Sequence, residues 1–170
     1  NLNNAPSNTS FNPNITFSAV GGLNTLKVYA IDSAGNTGTA SVTFTIDSSA
    51  PSSLNFVSPT EQEGVFISRN WYYINLTFTD DNPDACILYV NGAITSPIMT
   101  RQGTNCFINK TGLVDSAYAY WVYVNDSGGN AAISSSRTIT LDISAPSISI
   151  ASPINSIYST PNPLKKIIII

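Results

Sequence analysis

The sequence predicts an all-β protein in which antiparallel, two-sheet sandwiches follow one another along the chain. Three observations lead to this fold class: apolar and polar residues alternate along many short segments, turn-forming residues separate those segments, and one pattern of residues occurs twice. No segment shows a helical period. With 170 residues, the chain has room for one or two domains that each bury a core.

Alternation is clearest along two segments. Residues 40–46 place Ala, Val, Phe and Ile on one face and Ser and Thr on the other, and residues 72–79 do the same with Tyr, Ile, Leu and Phe. Such strands bury one face and leave the other polar. Residues 33–36 and 127–130, which contain Gly and Asn, are typical of hairpin turns. The core that we expect consists of Leu54, Tyr72, Ile74, Leu76, Phe78, Leu88, Val122, Val124, Ile139 and Leu141.

An internal repeat sets the organisation of the chain. Residues 28–36 (VYAIDSAGN) are similar to residues 122–130 (VYVNDSGGN), and residues 45–51 are similar to residues 140–146, with offsets of 94 and 95 residues. This period is the length of one sandwich domain. We therefore expect residues 1–50 to be the last part of one repeat, residues 51–146 a complete repeat, and residues 147–170 the opening strand or strands of a further repeat, or a donor tail.

The phase of the repeat implies that the chain begins and ends within repeats. One interpretation is that the sequence is a window cut from a longer array. The other is that it is a subunit whose two partial repeats are completed by neighbouring subunits.

The junctions carry a resemblance to a known group of proteins. Asp32–Asn36 (DSAGN) and Ile46–Pro51 (IDSSAP) resemble the end of the immunoglobulin-like repeats of bacterial adhesins and archaeal surface or surface-layer-type proteins. The second copy departs from the pattern at Gly128 and Ile143. The resemblance implies tandem immunoglobulin-like sandwiches at the cell surface, and it carries no catalytic residues.

Composition argues against several classes of function. The chain has no histidine, which excludes a histidine-based triad or zinc site. Asp80, Asp81 and Asp84 could act as acid and base, but DDNPD is typical of a turn that ends a strand. With 7 Lys and Arg and a net charge of −3, no basic stripe is available for nucleic acid, and no apolar run of about 18 residues could span a membrane. We therefore predict that the protein is not an enzyme.

The chain has two cysteines, Cys86 and Cys106. An even number of cysteines in a chain that reads as extracellular favours a disulfide between them. The alternatives are two buried free thiols or half of a metal site, and the latter lacks any further Cys or His nearby.

Four aspartates recur in register: Asp32 with Asp126 in the hairpin turns, and Asp47 with Asp142 at the exits of the repeats. In a stacked array they could meet and hold Ca²⁺, which prefers several oxygen ligands; the resemblance to adhesin repeats also implies calcium between domains. The simpler alternative is that each aspartate caps its local backbone. No other cofactor is predicted.

Sequons for N-glycosylation occur at Asn8, Asn14, Asn75, Asn109 and Asn125, although a chain so rich in Asn, Ser and Thr makes sequons by chance. Alternation along residues 72–79 predicts that Asn75 projects a glycan outward. The aromatic residues Trp71, Tyr72, Tyr73 and Trp121 are expected mainly in the core, although the parity of Trp71 and Tyr73 points outward.

These observations predict a non-enzymatic, extracellular protein that serves as a stalk or coat of the cell surface. Its expected partners are neighbouring repeats or further copies of itself, and cell-surface glycans or proteins, but not nucleic acid. One alternative is a pilus-like filament subunit assembled head to tail by donor-strand exchange, in which residues 147–170 complete residues 1–50 of a neighbour. A second alternative is a carbohydrate-binding accessory module of a secreted enzyme.

Overall fold

The computed structural model of the protein describes residues 3, 10, 14–94, 98–150 and 157, and the backbone of residues 167–169. This part of the chain contains fourteen β-strands and no helix, so no described helix could span a membrane. The strands are β1 (Gly22–Ile31), β2 (Thr37–Ile46), β3 (Ser52–Phe56), β4 (Phe66–Ile67), β5 (Tyr72–Thr79), β6 (Pro83–Val90), β7 (Ala93–Ile94), β8 (Thr100–Gln102), β9 (Asn105–Lys110), β10 (Ser116–Asp126), β11 (Ala131–Ile133), β12 (Arg137–Leu141), β13 (Ile148–Ile150) and β14 (Ile167–Ile169).

Strands β3 to β12 form an immunoglobulin-like sandwich of two sheets, which confirms the predicted fold class. One sheet has the strand order β3-β5-β9-β8, and the other has the order β4-β12-β10-β6-β7, with β11 also paired to β10. Neighbouring strands are antiparallel except for β4, which runs parallel to β12 and therefore departs from the purely antiparallel expectation. All of these strands lie within the predicted repeat of residues 51–146, whose boundaries stay a prediction.

The core lies between the two sheets and follows the alternation read from the sequence. Along β5, inward residues are buried and outward residues are half-buried, up to the exposed Thr79. Nine of the ten predicted core residues are buried, and the tenth, Leu54, is partly buried against them. The core also contains both cysteines, Val90, Met99 and Tyr120, which the prediction omitted.

Two tyrosines, not a tryptophan, fill the centre of the sandwich. The rings of Tyr72 and Tyr120 stack with centroids 5.5 Å apart, and Phe56 packs edge-on against Tyr120 at 5.6 Å. Burial raises the pKa of Tyr120 to about 12, so its ring stays neutral. The expectation that tryptophan packs between the sheets is wrong, because Trp121 has the outward parity of β10 and stacks on Tyr89 at 5.2 Å.

A hydrogen-bonded tyrosine marks the start of β10. The hydroxyl of Tyr118 donates to the backbone oxygen of Val114 (3.1 Å) and accepts from its N–H (3.3 Å). This arrangement matches the tyrosine corner of immunoglobulin-like sandwiches, where a tyrosine at this strand bonds back to the preceding loop. It ties the loop before β10 to the sheet.

The predicted disulfide is confirmed. Cys86 on β6 and Cys106 on β9 are both fully buried and bonded, with Cα atoms 6.4 Å apart. Because β6 and β9 belong to different sheets, the bond links the two layers of the sandwich.

Two further strand pairs flank the sandwich in the sequence. Strands β1 and β2 pair over ten residues each, and among the described residues they pair only with each other. Their inner face is partly covered: Phe17 packs on Phe44 at 6.3 Å and Asn24 is fully buried beneath Val20. The apolar residues of this face that stay partly exposed are Val28 (36%), Val42 (54%) and Ile46 (39%). At the other end, β13 pairs antiparallel with β14.

Reduction of the disulfide should destabilise the sandwich by about 3 kcal/mol, since the bond joins residues 20 apart and restricts the unfolded chain. Urea unfolding of the oxidised and reduced protein measures the difference. A Cys86→Ala, Cys106→Ala double variant is the control, because reductant should leave its midpoint unchanged. Equal midpoints for the oxidised and reduced wild-type protein would contradict the prediction.

Candidate functional site at the joint between two units

The turn that follows β10 is built by its first and last residues. Asp126 accepts two hydrogen bonds from Asn130, one from the backbone N–H (2.8 Å) and one from the side-chain amide (2.9 Å). Gly129 has a φ of 89°, a conformation that favours glycine. The turn between β1 and β2 has the same design, since Asp32 accepts both bonds from Asn36 at 2.8 Å. The repeat seen in the sequence therefore extends to the hydrogen bonds.

The turn after β10 holds Asp47, which follows β2 and ends the first unit. The side-chain amide of Asn130 donates to the backbone oxygen of Asp47 (3.2 Å), and that of Asn82 donates to its carboxylate (2.9 Å). At Gly128, a Cβ would lie 2.9 Å from both the Cβ and the backbone oxygen of Asp47. Only glycine allows this close approach. We call this contact of Asp47 with residues 82 and 126–130 the joint.

Three carboxylates meet at the joint. One oxygen from each of Asp47, Asp80 and Asp126 lies within 4.8 Å of the others. Burial raises the pKa of Asp126, but hydrogen bonds from Asn130 and from the backbone of the turn outweigh this effect and hold the pKa below its usual value. Asp126 therefore stays ionised at neutral pH although its side chain is buried. A set of three oxygen donors from three chain segments fits Ca²⁺, which takes six to eight oxygen ligands.

The structure brings together two of the four aspartates predicted to bind calcium. Asp47 and Asp126 lie in the cluster, whereas Asp32 caps its own turn and Asp142 is exposed after β12. The reason is geometric: the exit of one unit meets the turn of the following unit. Asp32 and Asp126 do cap their turns, as the simpler interpretation expects. Calcium binding stays a prediction for Asp47 and Asp126.

Asp80 is the member of the cluster that the sequence did not identify. The sequence offers Asp80 only as a candidate catalytic acid or base beside Asp81 and Asp84. In the structure one oxygen of Asp80 accepts from the backbone N–H of Asn82 (2.8 Å), and Asp84 accepts from the side chain of Asn125 (2.9 Å). The sequence predicts that Asp80 follows the strand β5, but the distance from Asp80 to Asp126 depends on how the two sheets pack.

The sequons differ in how accessible their side chains are. Asn75 lies on the outward face of β5, as the alternation predicts, but its side chain is half-buried and its amide donates to the backbone oxygen of Ser58 (2.9 Å) in the neighbouring loop. The glycan predicted there stays a prediction. Asn125 donates to Asp84. Asn14 and Asn109 are exposed, and their side chains bond to no other described residue. Asn8 lies outside the described residues.

Aromatic side chains on the outer faces are covered by neighbours. Trp121 stacks on Tyr89, Tyr73 stacks on Phe107 at 6.3 Å, and the guanidinium of Arg69 lies 4.3 Å from the ring centre of Trp71. One face of each ring is therefore occupied by a neighbouring side chain, while Trp71 as a whole is 40% exposed.

No known protein family and no curated protein matches the chain. Among solved structures, the chain is similar to fibronectin(III)-like modules of Clostridium thermocellum CbhA, with 17% identity, a TM-score of 0.41, and coverage of 72% of this chain and 63% of that chain. It is also similar to the titin domains Z1Z2 in complex with telethonin (20% identity, TM-score 0.36, 72% and 60% coverage) and to an engineered protein (10% identity, TM-score 0.41, 52% and 20% coverage). The chain thus spans less than two thirds of each of these structures.

Calcium should raise the unfolding temperature, because a cation relieves the repulsion among Asp47, Asp80 and Asp126. At a concentration of about 100 times its Kd, a ligand stabilises the folded state by about 2.7 kcal/mol. Thermal unfolding in Ca²⁺ and in EDTA measures the effect. Asp80→Asn should abolish the difference, while Asp32→Asn, in the equivalent turn outside the cluster, should retain it. Identical unfolding temperatures for the wild-type protein in Ca²⁺ and EDTA would reject the calcium site.

Secreted, folded protein from a host that attaches N-glycans should carry glycans at Asn14 and Asn109 with higher occupancy than at Asn75 or Asn125. A glycan on Asn75 requires that its bond to Ser58 be broken. Enzymatic removal of an N-glycan converts the glycosylated Asn to Asp, and peptide mass spectrometry detects this change at each occupied site. Thr111→Ala is the control that removes the Asn109 sequon. Higher occupancy at Asn75 than at Asn109 would contradict this order.

Proposed function

We propose that the protein is a non-enzymatic structural module at the outside of a cell, where tandem sandwich units form a stalk or coat. The observation that carries the proposal is the joint, in which Asp47 at the exit of one unit is held by the turn of the next. A spacer holds a distal element at a fixed distance from the surface, so its successive units need a fixed orientation relative to each other.

The contacts of the joint are suited to restricting rotation between the units. Asn130 holds the backbone of Asp47, Asn82 holds its carboxylate, and Gly128 lets the two backbones touch. Contacts to a backbone atom and to a side chain of the same residue fix both its position and its direction. In arrays of this kind, length grows with the number of units.

An extracellular location is supported by the disulfide and by the surface chemistry. Disulfides form and persist in oxidising compartments, and this one is fully buried between the sheets. Only 10% of residues are charged, so the polar faces of the strands carry mainly hydroxyl and amide groups.

A second candidate function is the head-to-tail filament subunit. The partly exposed inner face of the β1–β2 hairpin favours it, since Val42 is 54% exposed and such a face gains stability when another element covers it. The carbohydrate-binding alternative rests on the outer aromatic rings alone, one face of which is already stacked on a neighbour.

The structural role predicts that the hairpin and the sandwich tumble as one body. Backbone nitrogen relaxation by NMR should give the same rotational correlation time for β1–β2 and for the sandwich. Asn130→Ala should shorten the correlation time of the hairpin alone, because it removes the bond to the backbone of Asp47. Asn36→Ala, which weakens the equivalent turn outside the joint, is the matched control. Two different correlation times in the unaltered protein would contradict a rigid spacer.

A further inference from the structure

Asn24 on β1 makes the same pair of hydrogen bonds as the corner tyrosine of the sandwich. Its side-chain oxygen accepts from the backbone N–H of Val20 (3.2 Å), and its side-chain amide donates to the backbone oxygen of Val20 (2.8 Å). The hydroxyl of Tyr118 bonds to the N–H and the oxygen of Val114 in the same way. Each corner residue is the third of its strand, and the two are one repeat period of 94 residues apart. We call the two segments that these bonds close the corner loops, residues 20–24 and 114–118.

Each corner loop lies beside the point where the chain leaves its unit. In the first unit, Gly22 at the start of β1 pairs with Ile46 at the end of β2. In the sandwich, Ser116 at the start of β10 pairs with Leu141 at the end of β12. Because the paired strands are antiparallel, the loop that precedes one strand is adjacent to the segment that follows the other. We call the residues that directly follow β2 and β12 the exits.

In the sandwich, the corner loop holds its exit through a carboxylate. The backbone N–H of Ile143 donates to Asp115 (2.7 Å). Hydrogen bonds from the side chain of Ser144 and from the backbone of Ile143 and Ser144 hold the pKa of Asp115 below its usual value, so the carboxylate stays ionised at neutral pH. Hydrogen bonds to an ionised acceptor are stronger than those between neutral groups. Asp115 therefore fixes the chain just beyond β12.

In the first unit, the corner loop meets its exit by close packing. Gly21 is the equivalent of Asp115, and a Cβ on Gly21 would lie 2.7 Å from the hydroxyl oxygen of Ser48. The side chain of Ser48 therefore occupies the space that a side chain on residue 21 would need. Ser48 follows Asp47, which the turn of residues 126–130 holds at the joint. The exit of the first unit is thus contacted by its own corner loop and by the sandwich.

Asn24 fixes the part of the corner loop that meets this exit. Its bonds to Val20, and a further bond from its amide to the backbone oxygen of Gly22 (2.8 Å), lie on both sides of Gly21. The side chain of Asn24 is fully buried, and a buried amide that loses its partners costs free energy. The bonds of Asn24 therefore hold Gly21 in place against Ser48.

We propose that each corner loop is a clamp that sets the direction in which the chain leaves its unit. Asn24 is a positioning residue for the joint on the hairpin side, as Asn130 is on the sandwich side, and Asp115 has the same role at the exit of the sandwich. The inference rests on the structural role proposed above and adds the residues that orient the chain between units. It also gives a reason for a buried amide at an inward position of β1, where an apolar side chain would leave no polar group to satisfy.

Residual dipolar couplings of the backbone amides, measured by NMR on the 170-residue chain, test the role of Asn24. In the unaltered protein, the couplings of β1–β2 and of the sandwich should fit one alignment tensor, because the two parts have a fixed orientation. In Asn24→Ala they should require two tensors, since the corner loop no longer holds Ser48. Tyr118→Phe is the matched control: it removes the hydroxyl of the other corner, at the opposite end of β10 from the joint, and one tensor should still suffice.

Hydrogen exchange tests the same clamp in the sandwich, whose core does not contain Asp115. Asp115→Ala should speed exchange of the Ile143 amide by about fivefold, because it removes the acceptor of that N–H. The neighbouring amide of Asp142 donates to the backbone oxygen of Ile67 (3.0 Å). Its exchange rate should stay unchanged, which makes it an internal control.

Two results would overturn the clamp: a single tensor with unchanged orientation in Asn24→Ala, or an unchanged exchange rate of the Ile143 amide in Asp115→Ala. If Asn24→Ala unfolds the hairpin, the amide signals of β1–β2 move to random-coil positions, and the exchange of Ile143 decides the matter. Two tensors in the unaltered protein would reject the rigid spacer itself, and the inference with it.

Discussion

A β-sheet with one apolar face is stable in water only when a second layer covers that face, and the rest of this structure depends on that constraint. In the complete unit the constraint is met by two sheets whose inward residues, among them Tyr72, Tyr120 and Val122, are fully buried. The disulfide between Cys86 and Cys106 then ties the layers together. At the flanks the same alternating pattern produces strand pairs, for which the described part of the chain shows no opposite sheet.

The joint shows how a turn can serve two purposes at once. Asp126 and Asn130 close the turn through their own hydrogen bonds, and the same Asn130 amide reaches the backbone of Asp47. Gly128 contributes by having no side chain, which lets the two units approach to van der Waals distance. The equivalent turn of residues 32–36 carries Ala34 at the position of Gly128.

The three carboxylates of the joint make its stability dependent on the cations in the surrounding solution. Asp126 is buried, yet its hydrogen bonds keep its pKa below the usual value, so burial does not neutralise it. Charges held this close to Asp47 and Asp80 oppose the contact between units unless a cation or the surrounding amides balance them. In the proposed spacer, the rigidity of the joint is thereby coupled to whatever occupies this site.

The sequence by itself determined the sandwich and most of its core, because alternation with a period of two and the spacing of turns are properties of neighbouring residues. It also identified Cys86 and Cys106 as partners, since the chain contains no other cysteine. Tertiary structure alone decided that Tyr118 bonds back to Val114 and that Asn75 bonds to Ser58 in a neighbouring loop. It also decided that Asp80 joins Asp47 and Asp126, because three segments distant in sequence meet only when the layers and units pack. Local patterns fix which face of a strand is buried, whereas distances between segments follow from packing.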